Sequence, residues 1–135
     1  MTDFRFHHGG VSVPSLAEAI EWYDRVLGFK VEREFRIAAA KSRTAMLRKG
    51  PLRFEIFEVE NADPLPADRS HPARDLATHG NKHIAFCVED LDAFLLEMTE
   101  RRADVAMVVR EPFGTGCFIR DCAGNLIEFV EEDAT

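Results

Sequence analysis

The chain has 135 residues, a length typical of one domain; 46% of them are apolar and 30% are charged. That composition supplies a hydrophobic core and excludes a disordered chain, which buries too little apolar surface to fold. No apolar run approaches the roughly 20 residues that span a bilayer, and the N-terminus lacks the apolar core of a secretory signal. We therefore expect a soluble, cytoplasmic protein that does not bind membranes.

Charge and cysteine content exclude two further classes of protein. The net charge of −7 argues against nucleic acid as the main partner. Three cysteines without a C-x-x-C pair argue against a disulfide framework or a thiolate zinc site. Residues 30–53, here named the basic segment, nevertheless hold eight Lys or Arg and only two acidic residues. The basic segment is either a solvated strand face or the wall of a pocket that attracts anions.

Two stretches of the chain, residues 8–16 and 83–91, repeat the same pattern. In each, a histidine is followed five residues later by a valine and eight residues later by a leucine. Both stretches predict a strand, a short polar turn and the start of a helix. Ser15 and Asp90 are placed to cap these helices, and Gly28 is placed to end the first one.

Each helix is followed by three apolar runs with strand character. The predicted strands are Phe29 to Phe35, Thr44 to Arg48 and Leu52 to Val59 in the first half, and Val105 to Val109, Cys117 to Arg120 and Leu126 to Val130 in the second. They predict an α+β fold of two βαβββ repeats in a single domain, 1–135, with repeat one at 4–59 and repeat two at 81–131. The connecting loop, 60–80, has three prolines and no clear period, so we expect a functional loop or a linker.

One histidine per repeat, His8 and His83, is predicted at the equivalent position of the first strand. The neighbours on the same strand face are small, as Gly10 and Ala85 are, which leaves space beside each imidazole. His7 is expected on the opposite face of its strand.

One glutamate per repeat, Glu55 and Glu128, lies in the last strand among apolar residues. A bare carboxylate there is costly unless it is paired or binds a metal. A pseudo-twofold relation between the repeats would bring both carboxylates and both imidazoles to one point. Such a donor set suits Zn, Ni, Co, Mn or Fe(II). The alternative is two His–Glu ion pairs without metal.

These residues resemble the vicinal oxygen chelate superfamily, which contains glyoxalase I, methylmalonyl-CoA epimerase, extradiol dioxygenases and fosfomycin-resistance proteins. The resemblance is most specific in three motifs: His8…Val13-Pro-Ser-Leu16…Trp22-Tyr23…Leu27-Gly28-Phe29, Lys82-His83-Ile-Ala-Phe-Cys-Val88, and Phe118-Ile-Arg-Asp121…Gly124-Asn-Leu-Ile-Glu128. It implies mixed sheets that form an open half-barrel around a cavity, and a homodimer. It also implies one divalent metal ion with the ligands His8, Glu55, His83 and Glu128.

The resemblance further implies a metal-dependent lyase or isomerase of the glyoxalase type, which stabilises an enediolate or enolate of a small carbonyl or acyl substrate. Glu128 and Glu55 are the candidate bases, with Glu128 preferred. Ser12 and Val59 stand where glyoxalase I-like proteins carry Arg and Asn, which argues against a glutathione thiohemiacetal, whereas the basic segment suits an anionic substrate. An extradiol-type Fe(II) dioxygenase and a metal-free protein that binds small molecules or antibiotics are the alternatives. A metal-bound Glu55 favours the lyase or isomerase over both.

Overall fold

The computed structural model describes residues 1–132, which form two compact units; the first spans Met1–Asp63 and the second begins at Pro64. Each unit is built on one four-stranded sheet. The strands are β1 (Gly9–Ser12), β2 (Lys30–Ile37), β3 (Ser42–Lys49), β4 (Leu52–Val59), β5 (Ile84–Val88), β6 (Asp104–Glu111), β7 (Gly114–Arg120) and β8 (Leu126–Glu131). The α-helices are α1 (Leu16–Trp22), α2 (Pro72–Leu76) and α3 (Leu91–Glu100). Within residues 1–132, no helix has the length and apolar character that a membrane crossing requires.

Both sheets are mixed and have the same topology. The strand order is β1-β4-β3-β2 in the first unit and β5-β8-β7-β6 in the second. In each sheet the first strand pairs parallel with the last, and the remaining neighbours are antiparallel. The predicted α+β fold of two βαβββ repeats is confirmed.

The strands β2 and β6, each at one edge of its sheet, also share an irregularity. The register of β2 with β3 shifts between Val31 and Arg33, and that of β6 with β7 shifts between Val105 and Met107. A bulge of this kind inserts one unpaired residue and redirects the side chains beside it. Glu32 is the inserted residue in the first unit, and its position bears on the site described below.

The predicted helix ends are confirmed. The Ser15 hydroxyl accepts from the Glu18 amide at 3.2 Å, and the Asp90 carboxylate accepts from the Ala93 amide at 2.9 Å. The first helix continues beyond α1 as a π-helical turn over Tyr23–Leu27 and ends at Gly28, whose φ of 78° is left-handed. That conformation favours glycine because it has no Cβ.

A second pair of contacts, which sequence reasoning missed, joins each helix to the last strand of its own unit. The Glu58 carboxylate accepts from the Leu16 amide at 3.1 Å, and the Glu131 carboxylate accepts from the Leu91 amide at 2.8 Å. Both glutamates lie three residues after the candidate ligand of their strand. Each satisfies a free amide at the helix N-terminus, where negative charge is stabilising.

One face of each sheet packs under its helix. In the first unit Tyr23 and Val26 of the helix and Phe54 and Ile56 of β4 are all buried, and the Tyr23 and Phe54 ring centroids are 5.2 Å apart. The second unit buries helix residues and strand residues in the same manner. These are Leu91, Met98, Ile119 and Ile127. Because strand side chains alternate, the opposite face of each sheet carries the candidate site residues.

The connecting segment is ordered, although its sequence shows no helical period. It contains a 3₁₀ turn at Ala67–Ser70 and the short helix α2. Asp75 of α2 is only 2% exposed and pairs with Arg69 at 2.5 Å and with Lys82 at 3.3 Å. These contacts form what we name the Asp75 cluster, in which two cations compensate one buried carboxylate.

Candidate metal centre

The first unit brings His8 and Glu55 together. Glu55 lies in the middle of β4, in register with Gly10 of β1. The Nε2 atom of His8 is 3.6 Å from Oε1 of Glu55, and the two side chains are 35% and 18% exposed. Both are therefore accessible from outside while held close to each other.

The second unit brings His83 and Glu128 together in the equivalent way. Glu128 lies in β8, in register with Ala85 of β5. The Nε2 atom of His83 is 2.6 Å from Oε2 of Glu128, and the side chains are 20% and 24% exposed. The edge of the His83 ring also packs on Phe118, with the ring centroids 4.9 Å apart.

The predicted placement of the histidines within the first strands is wrong by one residue. β1 begins at Gly9 and β5 at Ile84, so each histidine immediately precedes its strand. The physical reason is that the parallel pairing with the last strand starts one residue later. Gly10 and Ala85 are exposed, as expected from the space predicted beside each imidazole.

The expectation that His7 points away from His8 is also wrong. The Nδ1 atoms of the two rings are 2.7 Å apart, and the rings meet edge to face. The strand alternation that predicted opposite faces does not apply, because neither residue lies in β1. When His8 donates from Nδ1 to His7, its Nε2 lone pair is free to bind a metal, as in many metal sites where a second residue orients the ligand.

The donor chemistry of these residues fits a divalent metal ion. Two donors that each lie about 2.0–2.2 Å from one ion stand about 3.0–3.5 Å apart. The His8–Glu55 separation of 3.6 Å is close to that spacing, and the His83–Glu128 separation of 2.6 Å is slightly shorter. Within residues 1–132, however, no group of three or more His, Cys, Asp or Glu side chains could hold a metal ion. The set of four ligands stays a prediction.

Most of the basic segment is engaged in local contacts. Within the segment, Arg53 and Arg48 both pair with Glu32. Two other basic residues of the segment pair with acidic residues outside it: Lys30 pairs with Asp24, and Arg43 pairs with Glu58 at 3.7 Å. These pairs are typical of a solvated strand face. Arg33 belongs to none of these pairs.

Comparison with known proteins addresses the fold and family. The sequence profile of the Glyoxalase/Bleomycin resistance protein/Dioxygenase superfamily matches residues 5–129. The chain belongs to this superfamily. The predicted resemblance to vicinal oxygen chelate proteins is thereby confirmed. No curated protein sequence matches the chain significantly.

Solved structures of superfamily proteins share the fold of this chain. A glyoxalase family protein from Enterococcus faecalis is 22% identical with a TM-score of 0.77, over 94% of this chain and 97% of its own. The trypanothione-dependent glyoxalase I of Leishmania major is 22% identical with a TM-score of 0.71, over 96% and 88%. The fosfomycin resistance protein FosX of Listeria monocytogenes is 12% identical with a TM-score of 0.67, over 98% and 94%. At these identities the likeness establishes the fold alone.

Proposed function

We propose that this superfamily member is a divalent-metal-dependent lyase or isomerase that acts on the carbon next to a carbonyl of a small substrate. One observation carries the proposal. Each unit presents a half-buried His–Glu pair at the same place in the same topology, with a small, exposed residue, Gly10 or Ala85, on the neighbouring strand. A purely structural ion pair gives no reason for this repetition.

The chain's own residues have two tasks in this reaction. His8 and His83 would hold the ion together with Glu55 and Glu128, and the ion supplies a Lewis acid that stabilises negative charge developing on a carbonyl oxygen. One of the two glutamates removes the proton from the neighbouring carbon and returns it. Glu128 remains our preferred base, and both carboxylates are accessible to a substrate, at 24% and 18% exposure.

We also propose that the protein works as a homodimer, as the family resemblance implies. A second copy of the chain could supply ligands that complete the set of four. Sedimentation of the protein with and without added Ni²⁺ or Zn²⁺ checks this. We expect a dimer in both conditions, and a monomer that binds metal fully would contradict the proposal.

Elemental analysis of untagged protein, purified without chelators, tests the metal site. We expect about one equivalent of Zn, Ni, Co or Mn per chain, with a sharp fall in Glu55→Gln and in Glu128→Gln. Glu34→Gln, which removes an exposed glutamate of β2, is the matched control and should keep its metal. Loss of metal in the control as well would indicate a general folding defect.

Proton exchange tests the reaction itself. Metal-loaded protein in D₂O should exchange the α-protons of small 2-hydroxy carbonyl compounds, and NMR measures this exchange. With metal restored, Glu128→Gln should lose the exchange, because Glu128 is the preferred base, whereas Glu55→Gln should retain part of it. Iron that survives Glu55→Gln would indicate a dioxygenase instead. Protein that takes up no metal would indicate a binding protein.

A further inference from the structure

The first unit contains a small cavity on the same sheet face as Glu55. Its volume is about 220 Å³, and its lining residues are His7, Glu32, Arg33, Met46 and Arg53. All of them belong to the first unit, and three of them are ionised at neutral pH. A cavity of this size accommodates a small organic group rather than a single water molecule.

The register of the sheet places the cavity beside the candidate metal ligand. Glu55 of β4 is directly opposite Met46 of β3, and Met46 is directly opposite Arg33 of β2. Residues paired in this way project to the same face. Adjacent strands are about 4.8 Å apart, so the Cα atom of Arg33 lies about 10 Å from that of Glu55.

The one acidic residue of the cavity is already compensated. The Arg53 guanidinium donates to both carboxylate oxygens of Glu32, at 2.9 and 3.2 Å. Arg48 lies 3.6 Å from the same carboxylate. The hydrogen bond from Arg53 holds the pKa of Glu32 below its ordinary value. Glu32 therefore stays ionised and paired with Arg53 and Arg48, and the other arginine of the cavity acts on it only through its charge, without an ion pair.

That arginine is Arg33. In the described part of the chain it forms no ion pair, and its guanidinium carbon lies over the Phe35 ring at 4.7 Å from the centroid. Stacking on an aromatic ring orients the planar guanidinium and leaves its N–H groups free to donate. An oriented guanidinium of this kind binds a carboxylate with two parallel hydrogen bonds.

We propose that Arg33, two strands across the sheet from Glu55, binds a carboxylate of the substrate. The substrate class is then a 2-oxo or 2-hydroxy acid with a second, remote carboxylate. This inference rests on the proposed function for the chelated end of the substrate, whereas the carboxylate end rests only on Arg33 and its cavity.

The test compares two acids of equal length that differ at one end. Metal-loaded protein is titrated calorimetrically with 2-oxoadipate, which has the remote carboxylate, and with 2-oxohexanoate, which has a methyl group there. We expect 2-oxoadipate to bind at least about tenfold more tightly, as for a hydrogen bond to a charged group. Arg33→Gln should abolish this difference, and Arg33→Lys should retain part of it.

Arg36→Gln is the matched control, because Arg36 is an exposed arginine of the same strand that does not line the cavity. It should keep the full preference for 2-oxoadipate. Glu128→Gln should weaken the binding of both acids by the same factor, since Glu128 acts on the chelated end of the substrate. Equal binding of the two acids by the unsubstituted protein, or an unchanged preference in Arg33→Gln, would overturn the inference and leave the proposed function intact.

If neither acid binds to metal-loaded protein, that result contradicts the proposed function. A second measurement then still tests the carboxylate site at Arg33. The Arg33 Nε–H resonance, assigned from its absence in Arg33→Lys, is followed in ¹H–¹⁵N spectra of metal-free protein titrated with glutarate. A saturable shift of this resonance, with the Arg36 resonance unchanged, supports a carboxylate site. An unshifted Arg33 resonance overturns it.

Discussion

The two candidate ligand pairs have the same backbone positions but different support. His83 packs on Phe118, lies 2.6 Å from Glu128, and follows Lys82, whose ammonium group pairs with Asp75. Its backbone is therefore tied to the connecting segment. The repeat places the two histidines alike, and the contact with Asp75, which lies outside the repeat, gives additional support to the His83 side.

His8 has no such anchor in the described part of the chain. Residues 1–8 are exposed and precede β1, and the neighbouring ring of His7 is the main contact of the imidazole. The looser distance of 3.6 Å to Glu55 agrees with this weaker support. We expect the His8 side to adjust to metal and substrate more than the His83 side.

The exposed sheet faces differ as well. Across the first sheet, Glu55 is followed by Met46 and Arg33, whereas across the second sheet Glu128 is followed by Phe118 and Met107. The first face presents a cation and the second presents apolar side chains. Equal topology thus carries unequal chemistry.

The Asp75 cluster supports the His83 side, and replacing Asp75 is expected to give the largest change in stability. Asp75→Asn leaves Arg69 and Lys82 uncompensated and should lower the free energy of unfolding by about 2 to 3 kcal/mol, less than for fully buried pairs because both cations are partly exposed. Urea denaturation measures this. Asp68→Asn, which removes an exposed partner of Arg74, is the control and should cost less than about 1 kcal/mol. Equal losses in the two variants would contradict a special role for the cluster.

The contact between His7 and His8 gives the next largest effect. If His7 orients His8, His7→Ala should weaken metal binding by about tenfold to a hundredfold, as for other residues that position a ligand. Competition with a chelating dye measures the metal affinity. His79→Ala, an exposed histidine of the connecting segment, should leave that affinity unchanged. A metal affinity equal to that of the unsubstituted protein would show that His8 is ordered without His7.

Glu58 and Glu131 provide a matched pair of smaller effects. Glu58→Gln and Glu131→Gln each remove a charge next to a helix N-terminus and weaken one hydrogen bond to a helix amide. Each should lower the free energy of unfolding by about 1 kcal/mol. Thermal unfolding of the two variants checks whether the repeats are energetically equivalent. A loss confined to one variant would show that only one helix depends on its strand.

The smallest effect concerns Cys117 and appears only at high pH. Burial, with a contribution from the nearby Glu128 carboxylate, raises the pKa of this thiol to about 11 from an ordinary value of 9.0. Because the folded pKa is raised, the contribution to stability is complete below about pH 9 and is lost as the pH rises towards 11. Urea denaturation of the unsubstituted protein and of Cys117→Ala between pH 8 and 11 should show this slope only in the former. Parallel slopes would contradict it.

Local patterns in the sequence were sufficient for the elements and their order. Alternating apolar residues predicted the strands, the residues at Ser15, Gly28 and Asp90 predicted helix ends, and the duplication of His8 at His83 predicted the repeat. Such features depend on neighbours within a few residues, so they can be inferred without the fold. The membership of the superfamily followed from the same motifs.

The tertiary structure decided what depends on contacts between distant residues. It ordered the connecting segment around Asp75, turned His7 towards His8, and paired Glu32 with Arg53 while leaving Arg33 free of an ion pair. The bulge in β2 places Glu32 beside Arg53, and the start of β1 at Gly9 leaves His7 and His8 outside the strand. Strand register and loop geometry set which side chains meet, and a one-residue change in either moves a side chain to the other face. The sequence alone therefore determined the repeated fold, whereas the structure determined which charges remain available to a ligand.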